Sequence, residues 1–453
     1  MSALAGLLQA RGYRVTGSDK AVYPPASTLL EELGIEVRQG YSPDHVADAD
    51  LVVVGNAVTR ANLEAIAAAE RGIPMWSMPQ LLGELFLADR LSIVVAGTHG
   101  KTTTSAMLAW VLEQAGRAPG FLVGGASLNL QTNFAVGTGE HFVLEGDEYD
   151  SAYFDKQPKF LHYRPRALLL NAIEFDHADI YRDLDHVKSA FRQLMQLLSP
   201  DTPLIVAQEF PHAVEIASTG PATPVLFGLD PGCAWRAVDV RDDGEHTSFR
   251  VQTDGHGVAE VRLRVPGVMN IRNALGVFVL SHRLGLSTDE IVRGLESFRG
   301  VRRRQECVGD VGGVTVIDDF AHHPTAVAGT LAAMRGRYPD RRVIAVFEPR
   351  SNTSRRRIFQ REFADALAGA PVVILSAVFR KPNDPLPPEE SLSIDELVDD
   401  LRSRGIEAQV LPSADAIVEY LGSTARPGDV ITVMSNGAFE GVPHRLVERL
   451  SRG

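Results

Sequence analysis

Short apolar, largely β-branched runs alternate with segments of helical apolar spacing along the whole chain. LVVVGNA at 51–57, LSIVVAG at 91–97, ALLLNAI at 167–173, VTVIDD at 314–319, RVIAVF at 342–347, PVVILS at 371–376 and DVITVM at 429–434 read as buried strands. Helical patterns fall between such runs, as in LAGLLQARG, NLEAIAAAERG and the stretch after Lys101, where Met107, Leu108, Val111, Leu112 and Ala115 are predicted to share one apolar face. Strand and helix in alternation predict an α/β protein built on parallel sheets.

Length then sets the number of such units. At roughly 150 residues per domain, 453 residues suggest about three. The pattern places boundaries at 1–88, 89–300 and 301–453. Within the middle segment, residues 225–265 have alternating strand character and the end, near 270–299, is helical. The proline-rich KPNDPLPPEES reads as a surface loop in the last segment. No internal repeat is visible.

Composition narrows the function. The net charge of -12 argues against a broad nucleic-acid footprint, so any anion needs a local site. No apolar run approaches the roughly 18 residues of a membrane span, and the opening lacks a basic leader pattern, which predicts a cytoplasmic protein with no membrane partner. Cys233 and Cys307 are too few for a disulfide framework or a thiolate zinc site and fit a reducing compartment.

The strongest chemical signal is Gly97-Thr98-His99-Gly100-Lys101-Thr102-Thr103, lying between an apolar strand and a helix. Glycines let backbone N–H groups wrap phosphates, the Lys101 ammonium suits β- and γ-phosphates, and the Thr102 hydroxyl is available to magnesium. Only two residues separate Gly97 from Gly100, against four in the usual phosphate loop; the competing reading is a glycine turn with a solvated lysine. Two acidic groups follow at strand ends: Glu145, Asp147 and Glu148, then Glu174, Asp176, His177 and Asp179. Oxygen donors with one imidazole suit magnesium, and solvated loop carboxylates are the alternative.

Asn270 and Asn273 stand at the start of a helix, where an amide caps the helix or contacts a base. Arg302, Arg303 and Arg304 clamp phosphate or are solvated. Asp318, Asp319, His322 and His323 precede a helix with Pro324 in its first turn, so a structural turn competes with a binding role. Arg350 in FEPRSNT suits a phosphate or a substrate carboxylate, or else a surface ion pair.

The ordered series GTHGKTTT, EGDEYD, EFDHAD, NIRNAL, DDFAHHPT, EPRSNT and MSNGAFEG resembles the Mur ligase family over essentially the whole chain. The resemblance implies three domains: an N-terminal Rossmann-like domain for a UDP-sugar, a central P-loop ATPase-like domain, and a C-terminal Rossmann-like domain for the incoming peptide. It implies ATP and Mg2+ as cofactors and an acyl-phosphate route to an amide. EGDEYDSAYFDKQPKFLHYRPR and NAIEFDHADIY are most similar to the branch that joins the murein tripeptide L-Ala-γ-D-Glu-meso-diaminopimelate to UDP-N-acetylmuramate in peptidoglycan recycling. The branch that adds L-alanine is the alternative.

Carried over by motif, Lys101 would bind the γ-phosphate within the Gly97–Thr103 cradle, Thr102 a first magnesium, and Glu145 with His177 a second metal; Lys101, Glu145 and His177 form the catalytic set. Asn273 would approach adenine, and Arg304, Asp319 and His323 would complete the nucleotide site. Ser18, Asp19 and Asn56 would hold the UDP-sugar, while Arg350, Ser435, Asn436 and Gly437 would hold the peptide.

Three departures from the family pattern stand out. The chain opens at the helix that should follow the family's first strand and glycine-rich loop, which implies either a start assigned too late or a truncated first domain. Fourteen residues beyond His177 stands Phe191, so no carbamylated lysine is expected. Met269 replaces the histidine that often precedes the adenine-side asparagines. Two rivals from other classes are a nucleotide-dependent switch that makes no amide and a dinucleotide oxidoreductase; the second lacks its glycine fingerprint here.

Overall fold

The structure, a computed structural model, describes residues 1–381 and 385–452. It forms two compact units, one comprising Met1–Glu174, Leu184–Trp235 and Gly276–Gly294, the other Phe175–Asp183, Arg236–Leu275 and the chain from Leu295 onward. Among the described residues no helix is long and apolar enough to cross a membrane.

The first unit opens with α1 (Ser2–Ala10), β1 (Thr16–Asp19), α2 (Ala26–Glu32), β2 (Glu36–Gln39), β3 (Val52–Val54), α3 (Leu63–Glu70), β4 (Met75–Ser77) and α4 (Met78–Leu85). β1 pairs in parallel with β2, and β3 with β4. The Asn62 side chain starts α3 by accepting from Glu64 N and Ala65 N at 2.9 and 3.2 Å, and Ser77 caps α4 with Pro79 in its first turn. Hydrophobic patterning missed α2, a short helix that buries none of its residues, and also β2 and β4, because strands of three or four residues carry too little period to read.

The central elements of this unit are β5 (Leu91–Ala96), α5 (Lys101–Gln114), β6 (Gly120–Leu122), β7 (Phe134–Ala135), β8 (His141–Gly146), β9 (Asp150–Ala152), β10 (Asp155–Pro158), β11 (Ala167–Leu170), α6 (Leu184–Gln196), β12 (Leu204–Ala207), α7 (Pro211–Ala217) and β13 (Pro224–Gly228). Their strands run in the order β13-β12-β11-β5-β8-β6-β7, parallel except for β6 against β7. After β5 the chain builds β6 and β8 on one side, then crosses to β11, β12 and β13 on the other. The order therefore reverses at β5, and in open α/β sheets the crevice at such a reversal is where ligands bind.

α5 departs from the expected one-sided helix. Met107, Leu108, Val111 and Leu112 are buried as predicted, but so are Thr102, Thr104, Ser105, Ala106 and Ala109, while Ala115 is only half-buried at the C-cap. The helix is covered almost all round because it packs against β5 and β8 on one side. On the other, Gly294 comes so close that a Cβ there would lie 2.9 Å from the Val111 Cα.

The interlude at 225–265 is extended as predicted, with β14 (Trp235–Asp242) and the antiparallel hairpin of β15 (Thr247–Thr253) and β16 (His256–Leu263). α8 (Val268–Arg283) and α9 (Thr288–Ser297) follow.

The last part of the second unit comprises β17 (Glu306–Val311), β18 (Val314–Asp319), α10 (Pro324–Arg337), β19 (Arg342–Phe347), α11 (Gln360–Leu367), β20 (Val372–Ser376), α12 (Ile394–Ser403), β21 (Glu407–Leu411), α13 (Ala414–Thr424), β22 (Asp429–Met434) and α14 (Val442–Ser451). Its sheet has the order β17-β18-β22-β19-β20-β21, parallel except at β17. One face is packed by Val327, Leu331, Phe363, Leu367, Leu397 and Leu401 of α10–α12, the other by Ile417, Leu421, Val442 and Leu446 of α13 and α14. Strands covered on both faces account for their unbroken apolar runs. Of the proline-rich loop, residues 382–384 lie outside the described residues.

Candidate functional site

In the first unit β5 delivers the chain into the glycine loop at the reversal point of its sheet. Gly97 and Gly100 have φ of 128° and 78°, and a Cβ at Gly97 would sit 2.8 Å from the Ala172 carbonyl oxygen, so glycine is required there. Gly100 caps α5 without a side chain to engage the first-turn amides, which leaves an anion-seeking helix start. The loop is fastened to the segment after β11: Thr98 N donates to Ala172 O at 2.6 Å, the Thr98 hydroxyl exchanges bonds with Glu174 O and N at 3.1 and 2.9 Å, and His99 Nε2 lies 2.9 Å from Glu174 Oε2.

Lys101 is not a solvated lysine. Its Nζ donates to both carboxylate oxygens of Glu148, at 2.8 and 3.2 Å, and Glu148 is itself buried. Burial alone would lower the lysine pKa, but the carboxylates of Glu148, Asp147 and Glu145 outweigh it and hold Lys101 above its ordinary value. Thr102 Oγ1 donates to Glu145 Oε1 at 2.9 Å, and Gly124 N donates to Glu145 Oε2 at 2.7 Å. Asp147 pairs with Lys159 at 2.5 Å, and the Tyr163 phenol is pushed up by burial and by Asp147 and Glu145. The donors around Thr102 and Glu145 are all oxygen, a set that fits magnesium. Sequence reasoning placed Glu148 among metal carboxylates and overlooked Lys159, Gly124 and Tyr163; only a folded sheet brings them to the loop.

The remaining candidates of this unit lie in its N-terminal part. Ser18 Oγ donates to Glu64 Oε2 at 2.5 Å, and Glu64 also accepts from Ser42 N at 3.3 Å and lies 2.7 Å from His45 Nδ1. Asp19 accepts from Ala21 N at 3.2 Å, and Asn56 is exposed in the turn after β3.

The second unit gathers the others. His177 takes the left-handed conformation at φ 56°, uncommon outside glycine, and the turn is held by His177 N donating to Asp176 Oδ1 at 2.7 Å and by Ile180 N and Tyr181 N donating to His177 O. Burial opposes ionisation of Asp176, but His177, His322, His323 and the Thr353 hydroxyl hold its carboxyl well below the usual range. Burial pushes the His322 imidazole down. His323 caps α10, its Nδ1 accepting from Thr325 N at 3.3 Å, so its Nε2–H donates to Phe175 O at 3.2 Å. Asp179 accepts from Asn352 Nδ2 at 2.6 Å.

The three arginines separate. Arg302 is exposed, 3.8 Å from Glu306. Arg303 grips the loop after β22, donating to Ser435 O at 2.9 Å and Gly437 O at 2.5 Å, and lies 3.3 Å from Asp318. Arg304 stacks 4.6 Å over the Phe320 ring. Asp319, raised by burial against the opposing charge of Arg304, accepts from Ala321 N, Gln305 N and Thr330 Oγ1. Asn270 does not accept from the helix start as a cap does: its amide donates to Pro266 O at 2.8 Å and Gln305 Oε1 at 3.0 Å, and its oxygen accepts from Asn273 at 3.2 Å. Gln305 Nε2 also lies 3.6 Å from the Met269 sulfur.

At the ends of β19 and β22, Arg350 lies 3.4 Å from Glu348, stacks 3.7 Å over the Phe379 ring and passes across Gly437. Ser435 Oγ donates to Glu348 Oε2 at 2.5 Å and accepts from Gly437 N at 2.9 Å. Arg350 and Ser435 are thus brought together by Glu348, a residue sequence reasoning passed over although it adjoins the Pro-Arg of its motif.

One unit thus carries a strand, glycine loop and lysine-bearing helix, and the other an arginine-lined sheet edge. Profiles of the Mur ligase family catalytic domain, the Mur ligase middle domain and the Mur ligase glutamate ligase domain match residues 1–90, 95–281 and 303–437. The chain belongs to the Mur ligase family. It has the family's three-domain α/β architecture and is a ligase. It is 39% identical to the UDP-N-acetylmuramate--L-alanyl-gamma-D-glutamyl-meso-2,6-diaminoheptandioate ligase of Escherichia coli, over 100% of this chain and 96% of that one. It is 33% identical to the UDP-N-acetylmuramate--L-alanine ligase of Syntrophus aciditrophicus, over 99% and 91%. Among solved Mur ligases, the murein peptide ligase of Psychrobacter arcticus superposes with a TM-score of 0.73 at 36% identity, covering 100% and 97% of the two chains. The alanine ligase of Thermotoga maritima superposes at 0.83 with 26% identity, covering 100% and 96%.

Proposed function

We propose that this Mur ligase joins L-Ala-γ-D-Glu-meso-diaminopimelate to UDP-N-acetylmuramate at the expense of ATP, in peptidoglycan recycling in the cytoplasm. The observation that carries the ATP part is Lys101, a buried ammonium at an uncapped helix start, held by Glu148 where a phosphate tail would arrive. The choice of tripeptide over alanine rests on residue identity rather than superposition: a TM-score follows the course of the backbone, whereas side chains choose the substrate. Identity is higher to the tripeptide ligases, at 39% against 33%.

A carboxylate resists amines because its carbon is electron-rich and oxide leaves poorly. Transfer of the γ-phosphoryl group to the lactyl carboxylate of the muramate releases ADP and gives an acyl phosphate; the alanyl amine then attacks the carbonyl carbon and phosphate departs. Lys101 and the amides of the Gly97–Thr103 loop would neutralise the phosphoryl oxygens during transfer. Thr102 and Glu145 would hold magnesium, whose chemistry is charge neutralisation on the phosphates. His177 keeps its proposed role as a metal ligand, and Asn273, Arg304, Asp319 and His323 their proposed nucleotide contacts. Residues 1–88, with Ser18, Asp19 and Asn56, would take the nucleotide sugar, 89–300 the ATP, and 301–453, with Arg350, Ser435 and Asn436, the peptide.

The test is phosphate release from ATP, Mg2+ and UDP-N-acetylmuramate. The reading requires that release depend on added tripeptide, with stoichiometric ligated product. Turnover with alanine alone assigns the chain to the alanine branch, and nucleotide binding without product makes it a switch.

A further inference from the structure

We infer that Glu348 and Arg350 act as one zwitterion-selective pair that reads the distal amino acid end of the incoming peptide. The inference rests on the tripeptide reading above and deepens it.

Glu348 is a buried carboxylate at the end of β19, and a buried charge needs a partner. Arg350 NH1 at 3.4 Å and the Ser435 hydroxyl at 2.5 Å supply it. Arg350 is partly exposed and sandwiched, its guanidinium 3.7 Å over Phe379, with Gly437 leaving the space that a side chain would fill, since a Cβ there would fall 2.1 Å from Arg350 Nε. The pair therefore presents one fixed positive and one fixed negative group side by side.

A ligand carboxylate alone, drawn to Arg350, brings a second negative charge against Glu348 and takes away its partner. A ligand amine alone does the converse to Arg350. An amino-carboxylate exchanges both pairings at once: its carboxylate takes Arg350, its ammonium takes Glu348, and every charge stays paired. The free D-centre of meso-diaminopimelate is such a group. Rejection of the single charge is as much a part of the selectivity as attraction of the pair.

Three tripeptides test this on the full chain with ATP, Mg2+ and UDP-N-acetylmuramate: one ending in meso-diaminopimelate, one in lysine, which lacks the distal carboxylate, and one in 2-aminopimelate, which lacks the distal amine. The wild-type protein should favour the first over each of the others by about tenfold or more in kcat/KM, as befits a charged hydrogen bond. Glu348→Gln, which keeps the shape and the contact with Ser435, should raise KM for the diaminopimelate peptide by about tenfold and lower it for the aminopimelate peptide, whose lone carboxylate then meets no opposing negative charge, with kcat for both within about twofold. An equal rise in KM for both would make Glu348 a strut and overturn the inference. So would a wild type that does not discriminate, a result that needs no variant to fold. Turnover with alanine and none with any tripeptide would instead overturn the tripeptide reading itself.

Discussion

The phosphate loop of the first unit and the arginine-lined sheet edge of the second illustrate two ways of building a site. The first is almost contiguous: Gly97 to Thr103 contain the turn, the helix start, the cation and the hydroxyl, and the rest of the sheet only supplies counter-charges. The second is assembled from separate strand ends, with Glu348 and Arg350 from β19, Phe379 from beyond β20, Ser435 and Gly437 from beyond β22, and Arg303 binding the loop from before β17. Contiguous machinery can be read as a motif and lost by one substitution. Dispersed machinery is tuned position by position.

The largest effect should come from breaking the contiguous site. Lys101→Ala should lower kcat by about a thousandfold or more. It should also destabilise the fold by ~3 kcal/mol in chemical denaturation, because Glu148 is left buried and unpaired. Adding Glu148→Gln should restore stability without restoring turnover; recovery of both would show that Lys101 is merely structural.

Next, Gly294→Val should cost ~3 kcal/mol by overpacking against Val111 of α5. Full stability in a urea titration would mean that α9 yields easily and that the burial of α5 is not tightly set.

Gly437→Ala should swing Arg350 aside and raise KM for the tripeptide about tenfold, equivalent to ~1.4 kcal/mol, with KM for ATP unchanged. A matching rise in KM for ATP would erase the distinction between the two regions.

The smallest effect is expected at an ion pair away from either region. Asp429 takes Arg342 in a two-pronged contact at 2.7 and 2.8 Å; burial opposes its ionisation, but Arg342 and the Arg426 amide hold the carboxyl below the usual range. A carboxyl whose pKa is depressed by folding stabilises above the unfolded value of about 3.9, and that contribution fades as pH falls through the folded value. Asp429→Asn should therefore cost ~1 kcal/mol at pH 7, and the gap from wild type should close in acid below about pH 4. A gap that stays constant with pH would show that the carboxylate charge is irrelevant there.

How much was legible follows the same division. The α/β class, the long strands and the glycine loop could be read because each is a local pattern of period or spacing. The partner of Lys101 could not, since Glu148 resembles any acid after a strand until β8 lies beside β5. Arg303 looked like a phosphate clamp or a solvated side chain and proves to hold the Ser435–Gly437 turn, more than 130 residues away. The one-sided character expected of α5 failed for a related reason: small residues such as Ala106, Ala109 and Ser105 carry little hydrophobic signal, yet they allow neighbours to close in on every side.

Gly294 turns that last point into a rule for redesign. The helix that carries the nucleotide lysine has a neighbour at hydrogen-atom clearance on its far flank, in a stretch without any recognisable signature. Libraries that vary the loop while leaving Gly294 alone explore freely, whereas those that mutate Gly294 disturb the loop from behind.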